Sequence, residues 1–274
     1  MKTVLVTGCS SGIGLCAAQI LSKRGHRVFA TARKQRDVEK LASMGLESFP
    51  LDLADSGSIK NAVDTVMKKC GGAPYALFNN GAYGQPGAVE DLTRAAIREQ
   101  FETNVFGTME LTNLVIPAMR ARGEGRIVMN SSVLGLVAAP MRGAYNASKF
   151  ALEGFTDTLR LELWGSGIKV SLIEPGPIYT NFRENSYEAF KKHIVPAQSH
   201  HRQTYRKMEE RLTSEGPGMS GTLPPEAVVE KLIHAVESGR PKIRYYVTRV
   251  TYGAALAKRI LPSVVMDELL RRRI

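Results

Sequence analysis

Tyr145 and Lys149 lie four residues apart in Tyr145-Asn146-Ala147-Ser148-Lys149, ahead of the periodic apolar residues Phe150, Leu152, Phe155, Leu159 and Leu163. On a helix that spacing puts both side chains on one face. A free tyrosine has a pKa of about 10, so proton transfer near neutral pH needs a stabilised phenolate, which an ammonium one turn away would supply. Lys149 is therefore expected to lower the pKa of Tyr145. Thirteen residues before the tyrosine stands Ser132, at the end of the strand-like Arg126-Ile127-Val128-Met129, where its hydroxyl could bond the same substrate oxygen. Together they make a donor pair for a carbonyl. A Tyr/Lys pair at this spacing is also a common contact on a helix surface, so it does not decide the matter alone.

A second pattern lies near the start of the chain. The run Thr7-Gly8-Cys9-Ser10-Ser11-Gly12-Ile13-Gly14 follows the apolar Val4-Leu5-Val6 and reads as strand, tight turn and helix start. Gly8 would permit the turn, Gly12 a close approach to a pyrophosphate, and Gly14 tight packing of helix on strand. The free N–H groups of the new helix would face the anion. A tight turn without a ligand would carry the same residues. If a dinucleotide does bind, its type is set at the end of the second strand, where an acidic side chain would select NAD. Here the chain has Ala30-Thr31-Ala32-Arg33-Lys34 and no carboxylate before Asp37. Arg33 could offer a forked contact to a 2′-phosphate worth about 1.5–3 kcal/mol, so NADP(H) is expected. Ser10 or Ser11 could add a further bond to that phosphate, and the other reading of Arg33 and Lys34 is a solvated loop.

The two patterns together resemble the short-chain dehydrogenase/reductase family over roughly residues 1–250. Its Thr-Gly-x-x-x-Gly-x-Gly and Tyr-x-x-x-Lys stand at 7–14 and 145–149. By that resemblance Asn104, Ser132, Tyr145 and Lys149 form the catalytic group. Asp52 in Leu51-Asp52-Leu53 lies near the adenine, and Asn79-Asn80-Gly81 and Pro175-Gly176-Pro177-Ile178-x-Thr180 complete the cofactor site. Thr180 would hold the nicotinamide carboxamide, unless it is a plain loop threonine. The family's usual Asn-Asn-Ala-Gly stands here as Asn79-Asn80-Gly81-Ala82, which keeps small residues in place and leaves the contacts of Gly81 and Ala82 open. The branch most alike contains hydroxysteroid dehydrogenases, retinol dehydrogenases and bacterial aldehyde reductases.

The resemblance implies hydride transfer between the nicotinamide and a carbonyl or alcohol carbon. Tyr145 would act as acid or base, Ser132 would stabilise the oxyanion, and Lys149 would also bond the nicotinamide ribose. Asn104 would support a water that links Lys149 to solvent. Reduction of an apolar aldehyde or ketone is the main expectation, because cellular NADP is kept reduced. Oxidation of a steroid-like or retinol-like alcohol is the alternative. A catalytically silent NADP-sensing regulator is the alternative of another class, and it would not need Ser132, Tyr145 and Lys149 at working spacing.

These residues need a frame, and the rest of the chain supplies one. Val4–Val6, Arg27–Thr31, Glu47–Phe49, Ala76–Phe78, Ile127–Met129, Val170–Ile173 and Tyr245–Val247 read as strands. Ile13–Arg24, Ile59–Lys69, Ala95–Met119, Ala144–Trp164 and Glu226–Val236 carry helical spacing. Such alternation predicts an α/β fold, a single-domain Rossmann type with a doubly wound, seven-stranded parallel sheet. With right-handed crossovers the resemblance gives the order 3-2-1-4-5-6-7. Ligands would collect at the carboxyl ends of strands 1, 4, 5 and 6. Residues 181–222, long, polar and mixed, with Phe182, Tyr187, Phe190, Ile194 and Tyr205 among charges, are expected to form a mobile cover over the substrate. Val133, Met141 and Tyr83 point to an apolar pocket for an aliphatic or aromatic aldehyde, a retinoid or a steroid-like ketone.

At 274 residues with 43% hydrophobic content, one such domain can bury a substantial core. Three cysteines without metal-like spacing, and nothing like a secretory segment before the glycine loop, favour a reducing, cytoplasmic setting and no metal. Cys9 and Cys16 read as small packed residues. The net charge of +11 is uneven, with nine Lys or Arg and two acids in residues 240–274. Residues 251–274 therefore read as a basic amphipathic segment. It could close the pocket, make weak contact with an anionic membrane surface, or pack on its own domain. No reading motif for nucleic acid accompanies the charge, and none is expected as a partner. Relatives associate through helices near 95–119 and 144–164, so a homodimer or homotetramer is expected.

Overall fold

Val4, Leu5 and Val6 are all fully buried, and they point alternately to two different cores. A strand covered on both faces must lie inside a parallel sheet with helices above and below. The computed structural model, which describes residues 1–214 and 221–271, has that architecture. Its strands are β1 (Thr3–Val6), β2 (Arg27–Ala32), β3 (Glu47–Pro50), β4 (Ala76–Asn79), β5 (Gly125–Asn130), β6 (Ile168–Pro175) and β7 (Arg244–Val247). They form one parallel sheet in the order β3-β2-β1-β4-β5-β6-β7. The winding reverses between β1 and β4, where an open α/β sheet leaves a crevice at its carboxyl edge.

Helices α1 (Gly12–Lys23), α2 (Gln35–Ser43), α3 (Ser56–Cys70), α4 (Arg94–Phe101), α5 (Gly107–Arg122) and α6 (Gly143–Glu162) join the first six strands. After β6 come α7 (Phe182–His193), α8 (Arg202–Thr213) and α9 (Glu226–Glu237). After β7 come α10 (Arg249–Ile260) and α11 (Ser263–Arg271). On one face Ala17 and Leu21 of α1, Val38 and Leu41 of α2, and Val228 and Leu232 of α9 meet Val4, Ala30 and Phe78. On the other, Ile59 and Val66 of α3, Leu111 and Val115 of α5, and Leu152 of α6 meet Leu5, Phe29 and Ile127.

Three features depart from the sequence reading. α2 was not expected, because its nine polar-rich residues bury only Val38 and Leu41. The stretch expected as one helix over Ala95–Met119 is broken by a π-helical turn, Glu102–Phe106, which buries Asn104 and Val105. The segment after β6 contains two helices in place of a featureless cover. Phe190, Ile194 and Tyr205 form a third apolar cluster with Ala88. The Tyr205 hydroxyl donates to Asp91 (2.6 Å) and accepts from the Ala88 N–H (2.8 Å), while Lys192 and His193 bond Glu99 of α4. Residues 215–220 of that segment, and Arg272, Arg273 and Ile274 of the basic end, lie outside the described residues.

Arg244 of β7 ties the far edge together. Its guanidinium donates to Glu174 of β6 (2.5 Å), to Asp157 of α6 (2.5 Å) and to Glu153 of α6. Glu174 is wholly buried and is pushed up to about 8 by burial and by Glu153, so loss of the guanidinium leaves three clustered carboxyl groups without their shared donor. Arg244→Met should lower stability by about 3–5 kcal/mol in urea denaturation. A change below about 1 kcal/mol would contradict this account of the edge.

Candidate active site

The carboxyl ends of β1, β4 and β5 are laced together by side chains. Thr7 Oγ1 accepts from the N–H groups of Asn80 (2.9 Å) and Gly81 (2.8 Å). The Asn80 amide returns to the carbonyls of Thr7 (2.9 Å) and Gly8 (3.3 Å). Asn130 Nδ2 donates to Asn80 Oδ1 (2.9 Å), and Lys149 Nζ donates to the Asn130 carbonyl (2.7 Å). One continuous chain of bonds thus joins the glycine loop to α6.

Gly8 has φ +70°, and a Cβ on it would stand 2.7 Å from Gly81 Cα. A Cβ on Gly14 would meet the Gly8 carbonyl oxygen at 2.2 Å, so Gly14 serves the close packing of α1 on the loop. Gly12 lies against the Thr180 methyl. Ser11 is the N-cap of α1 and makes no side-chain capping bond, which leaves the first-turn N–H groups without a side-chain partner there.

Tyr145 and Lys149 are both buried on the inner face of α6. Burial raises the Tyr145 hydroxyl above its ordinary value, while Ser132 and the charge of Arg142 pull it back. Burial pushes Lys149 down to about 8, against the opposing charge of Glu153. Lys149 was expected to lower the Tyr145 pKa, and in this arrangement it is not among the groups that act on the hydroxyl. Its ammonium is turned to the Asn130 carbonyl, 5.8 Å from the Tyr145 ring centre, and the cation that acts on the hydroxyl is Arg142. Phe182 covers the tyrosine edge-on at 5.3 Å.

Asn104 faces α6 from the π turn. Its amide donates to the Tyr83 carbonyl (3.0 Å) and to Ser148 Oγ (3.1 Å), and its Oδ1 accepts from the Tyr83 N–H (3.2 Å). Ser148 in turn donates to the Tyr145 carbonyl (2.8 Å). Asn104 therefore positions the first turn of α6 through its direct bond to Ser148.

A cavity of about 970 Å³ opens above these ends. Gly8 and residues 10–13, with Asn80 and Gly81, border it on one side, and Ser132, Tyr145 and Lys149 form its floor. Pro175, Gly176, Ile178 and Thr180 close the next side, and Val250, Met266 and Leu269 of α10 and α11 complete the wall. Val133 and Met141 line it as expected, whereas Tyr83 does not. Gly14, Arg33, Asp52, Leu53 and Asn104 are not on this wall. Arg33 is exposed just past β2, on the far side of β1 from Tyr145. Asp52 closes its own turn by accepting from the Ala54 N–H (3.0 Å), and Leu53 belongs to the core. Among residues the sequence reading missed, Asn130 and Arg142 had no motif to mark them.

A family model of the short chain dehydrogenases matches residues 2–190. The chain belongs to that family. It is 46% identical over 272 residues to uncharacterized oxidoreductase YbbO of Escherichia coli K12, covering 98% of this chain and 94% of that protein. It is 34% identical to human retinol dehydrogenase 8, covering 89% of this chain and 80% of the relative. A short chain dehydrogenase from Burkholderia phymatum, solved in complex with NAD, has a TM-score of 0.79 at 25% identity and covers 98% and 95% of the two chains. As a short chain dehydrogenase the protein is a nicotinamide-dinucleotide oxidoreductase acting between alcohol and carbonyl. Among the described residues no group of side chains could hold a metal, and no helix is long and apolar enough to cross a membrane. Burial pushes the Cys9 thiol up to about 12 and the Cys16 thiol up to about 11, away from the thiolate form.

The bond chain makes Asn80 the hinge between the two halves of the site. Asn80→Ala should lose about 1–3 kcal/mol in urea denaturation and weaken dinucleotide binding in fluorescence titration. Unchanged stability would show that the lacing contributes nothing.

Proposed function

We propose that the protein reduces an apolar aldehyde or ketone with NADPH. The observation that carries this reading is the buried Tyr145 hydroxyl, raised in pKa and faced by Ser132, on the floor of a largely apolar cavity that the glycine loop also borders. The residues present fit a dinucleotide. The first turn of α1 has no side-chain cap to occupy its N–H groups, and Gly8 and Gly12 let the loop lie close against Gly81 and Thr180. Bound NADPH would supply the hydride. Tyr145, kept protonated by burial, donates its proton to the alkoxide oxygen as charge develops, and Ser132 donates a second hydrogen bond to the same oxygen. Lys149 holds the ribose hydroxyls, and Thr180 the carboxamide, within reach of Gly12. Asn104 and Ser148 fix the turn of α6 that carries Tyr145. Arg33 receives the 2′-phosphate at the end of β2, where no carboxylate would repel it.

Reduction is the first reading because it starts from the protonated tyrosine that burial maintains in the resting site, whereas oxidation starts from a tyrosinate that must first lose its proton to solvent. The retinol dehydrogenase relative keeps alcohol oxidation as the second reading. Phe106 between α4 and α5, Phe155 on α6, and Trp164 just beyond it are exposed apolar side chains on or beside the helices where a homodimer or homotetramer would join. Light scattering should report that assembly. The inner sides of α10 and α11 close the cavity, which supports the pocket-closing role of the basic segment over contact with a membrane.

Absorbance of reduced nicotinamide, followed with medium-chain aldehydes and ketones, should show turnover with NADPH. Tyr145→Phe should lower kcat by at least about 10²-fold while NADPH still binds. Binding of NADPH without turnover in either direction would instead support a sensor. Arg33→Asp should shift preference to NADH by about 10- to 100-fold, and an unchanged preference would place the phosphate elsewhere. Because Lys149 is a cation only below its value of about 8, kcat/KM for NADPH should fall as pH rises through that value. A profile level well past it would contradict a role for the ammonium.

A further inference from the structure

Among the described residues the cavity wall carries Arg142, Lys149, Arg183, Lys207, Arg211 and Arg249, and no aspartate or glutamate. Much of the remaining wall is apolar, with Val133, Leu134, Val137, Met208 and Leu212 around the substrate side. Several other cations of the molecule do have carboxylate partners: Arg24 pairs with Glu237, Arg27 with Glu47, and Arg244 with three carboxylates. Among the described residues Arg142, Lys207 and Arg211 are in no ion pair.

Arg142 is the most constrained of them. It is half-buried at the N-cap of α6, three residues before Tyr145. Burial disfavours its charge, Arg211 opposes it further, and the one group that favours it is Tyr145, through the negative charge of its ionised form. Charges withdrawn from water are as a rule paired, so a half-buried guanidinium with no carboxylate beside it is open to an anionic partner. The backbone before it is held in an unusual state. Met141 has φ +61°, a conformation L residues seldom adopt, and its carbonyl is fixed by the Gly87 N–H (2.8 Å). Strain of this kind persists where the surroundings over-determine a functional position. Arg142 follows β5 and Arg211 lies on α8, so neither is part of the glycine loop between β1 and α1, where a pyrophosphate would sit.

We propose that the carbonyl substrate bears an anionic group, a carboxylate or phosphate on an apolar body, and that Arg142, backed by Arg211, receives that group beside Tyr145. The proposal rests on the reductase reading and names its substrate class. A guanidinium fork suits either anion through paired N–H···O bonds, and the apolar wall takes the chain between anion and carbonyl. Arg142 is then a specificity-determining residue, and neutral ketones of equal length are the poorer substrates.

The test compares a medium-chain ω-oxo carboxylic acid with its methyl ester. With the wild-type enzyme and NADPH, kcat/KM for the acid should exceed that for the ester by about tenfold or more. Arg142→Gln should bring that ratio close to unity, whatever it does to the rate with the ester. An ester as good as the acid in the wild type, or a ratio that survives the substitution, overturns the proposal. Calorimetric titration of decanoate, decyl phosphate and decanol into the full-length protein reads the site without turnover and separates carboxylate from phosphate. At least one anion should bind more tightly than decanol, with affinity falling as salt rises and lost in Arg142→Gln. If that variant does not fold, Arg211→Gln and the wild-type salt dependence decide. Anion binding without turnover of any carbonyl would defeat the reductase reading and leave the anion site standing. Turnover of the ester with no anion binding would do the reverse.

Discussion

The structure depends on a run of amide and hydroxyl bonds from Thr7 through Asn80 and Asn130 to Lys149. Parallel strands bring their carboxyl ends to one edge, but sheet hydrogen bonding stops there and leaves the loops to hold themselves. Here the asparagine side chains continue the pairing past the last ladder bond. The glycine loop of β1 and the tyrosine-bearing helix after β5 are thereby kept in fixed relation, and no further layer of structure is needed to set the distance between them. The glycines at 8 and 14 permit the approach, because any side chain there would strike the neighbouring backbone.

On that fixed edge, burial sets the acid–base character. Tyr145 and Lys149 are both removed from water, and removal from water favours the neutral form of each. The phenol is held as an acid and the amine is brought within reach of neutral pH. A hydroxyl that keeps its proton suits delivery to an alkoxide. The same burial leaves Arg142 short of a counter-ion at the cavity wall, so the acid and the specificity of the pocket have one origin.

Much of this was legible in the sequence. The apolar triplets at 4–6 and 76–78 marked inner strands because both faces of a parallel strand are buried. The glycine run and the Tyr/Lys spacing marked the site because a close backbone approach and a shared helix face each demand fixed spacing. The sheet order followed from the family resemblance and the rule of right-handed crossovers. What stayed hidden was set by partners distant in the chain. Asn130 looks like any residue after a strand until Asn80 is brought beside it. The π turn at Glu102–Phe106 has helical composition, and only the bonds of Asn104 to Tyr83 and Ser148 reveal its purpose. The helices after β6 read as polar because their apolar residues are few. Tyr205 is fully buried and bonded to Asp91, a partner more than a hundred residues away. The Tyr/Lys spacing fixes the shared helix face but not the direction in which a long side chain turns, and Lys149 turns to the Asn130 carbonyl.

The central claim is that Tyr145 enters the reaction as a protonated donor. Titration of ¹³C-labelled tyrosine by NMR, with Tyr145→Phe to identify the signal, measures this directly. The account requires a hydroxyl that stays protonated through neutral pH and titrates above the ordinary tyrosine value of about 10. A phenolate already formed at neutral pH would contradict it, and would make the site one built to take a proton from an alcohol.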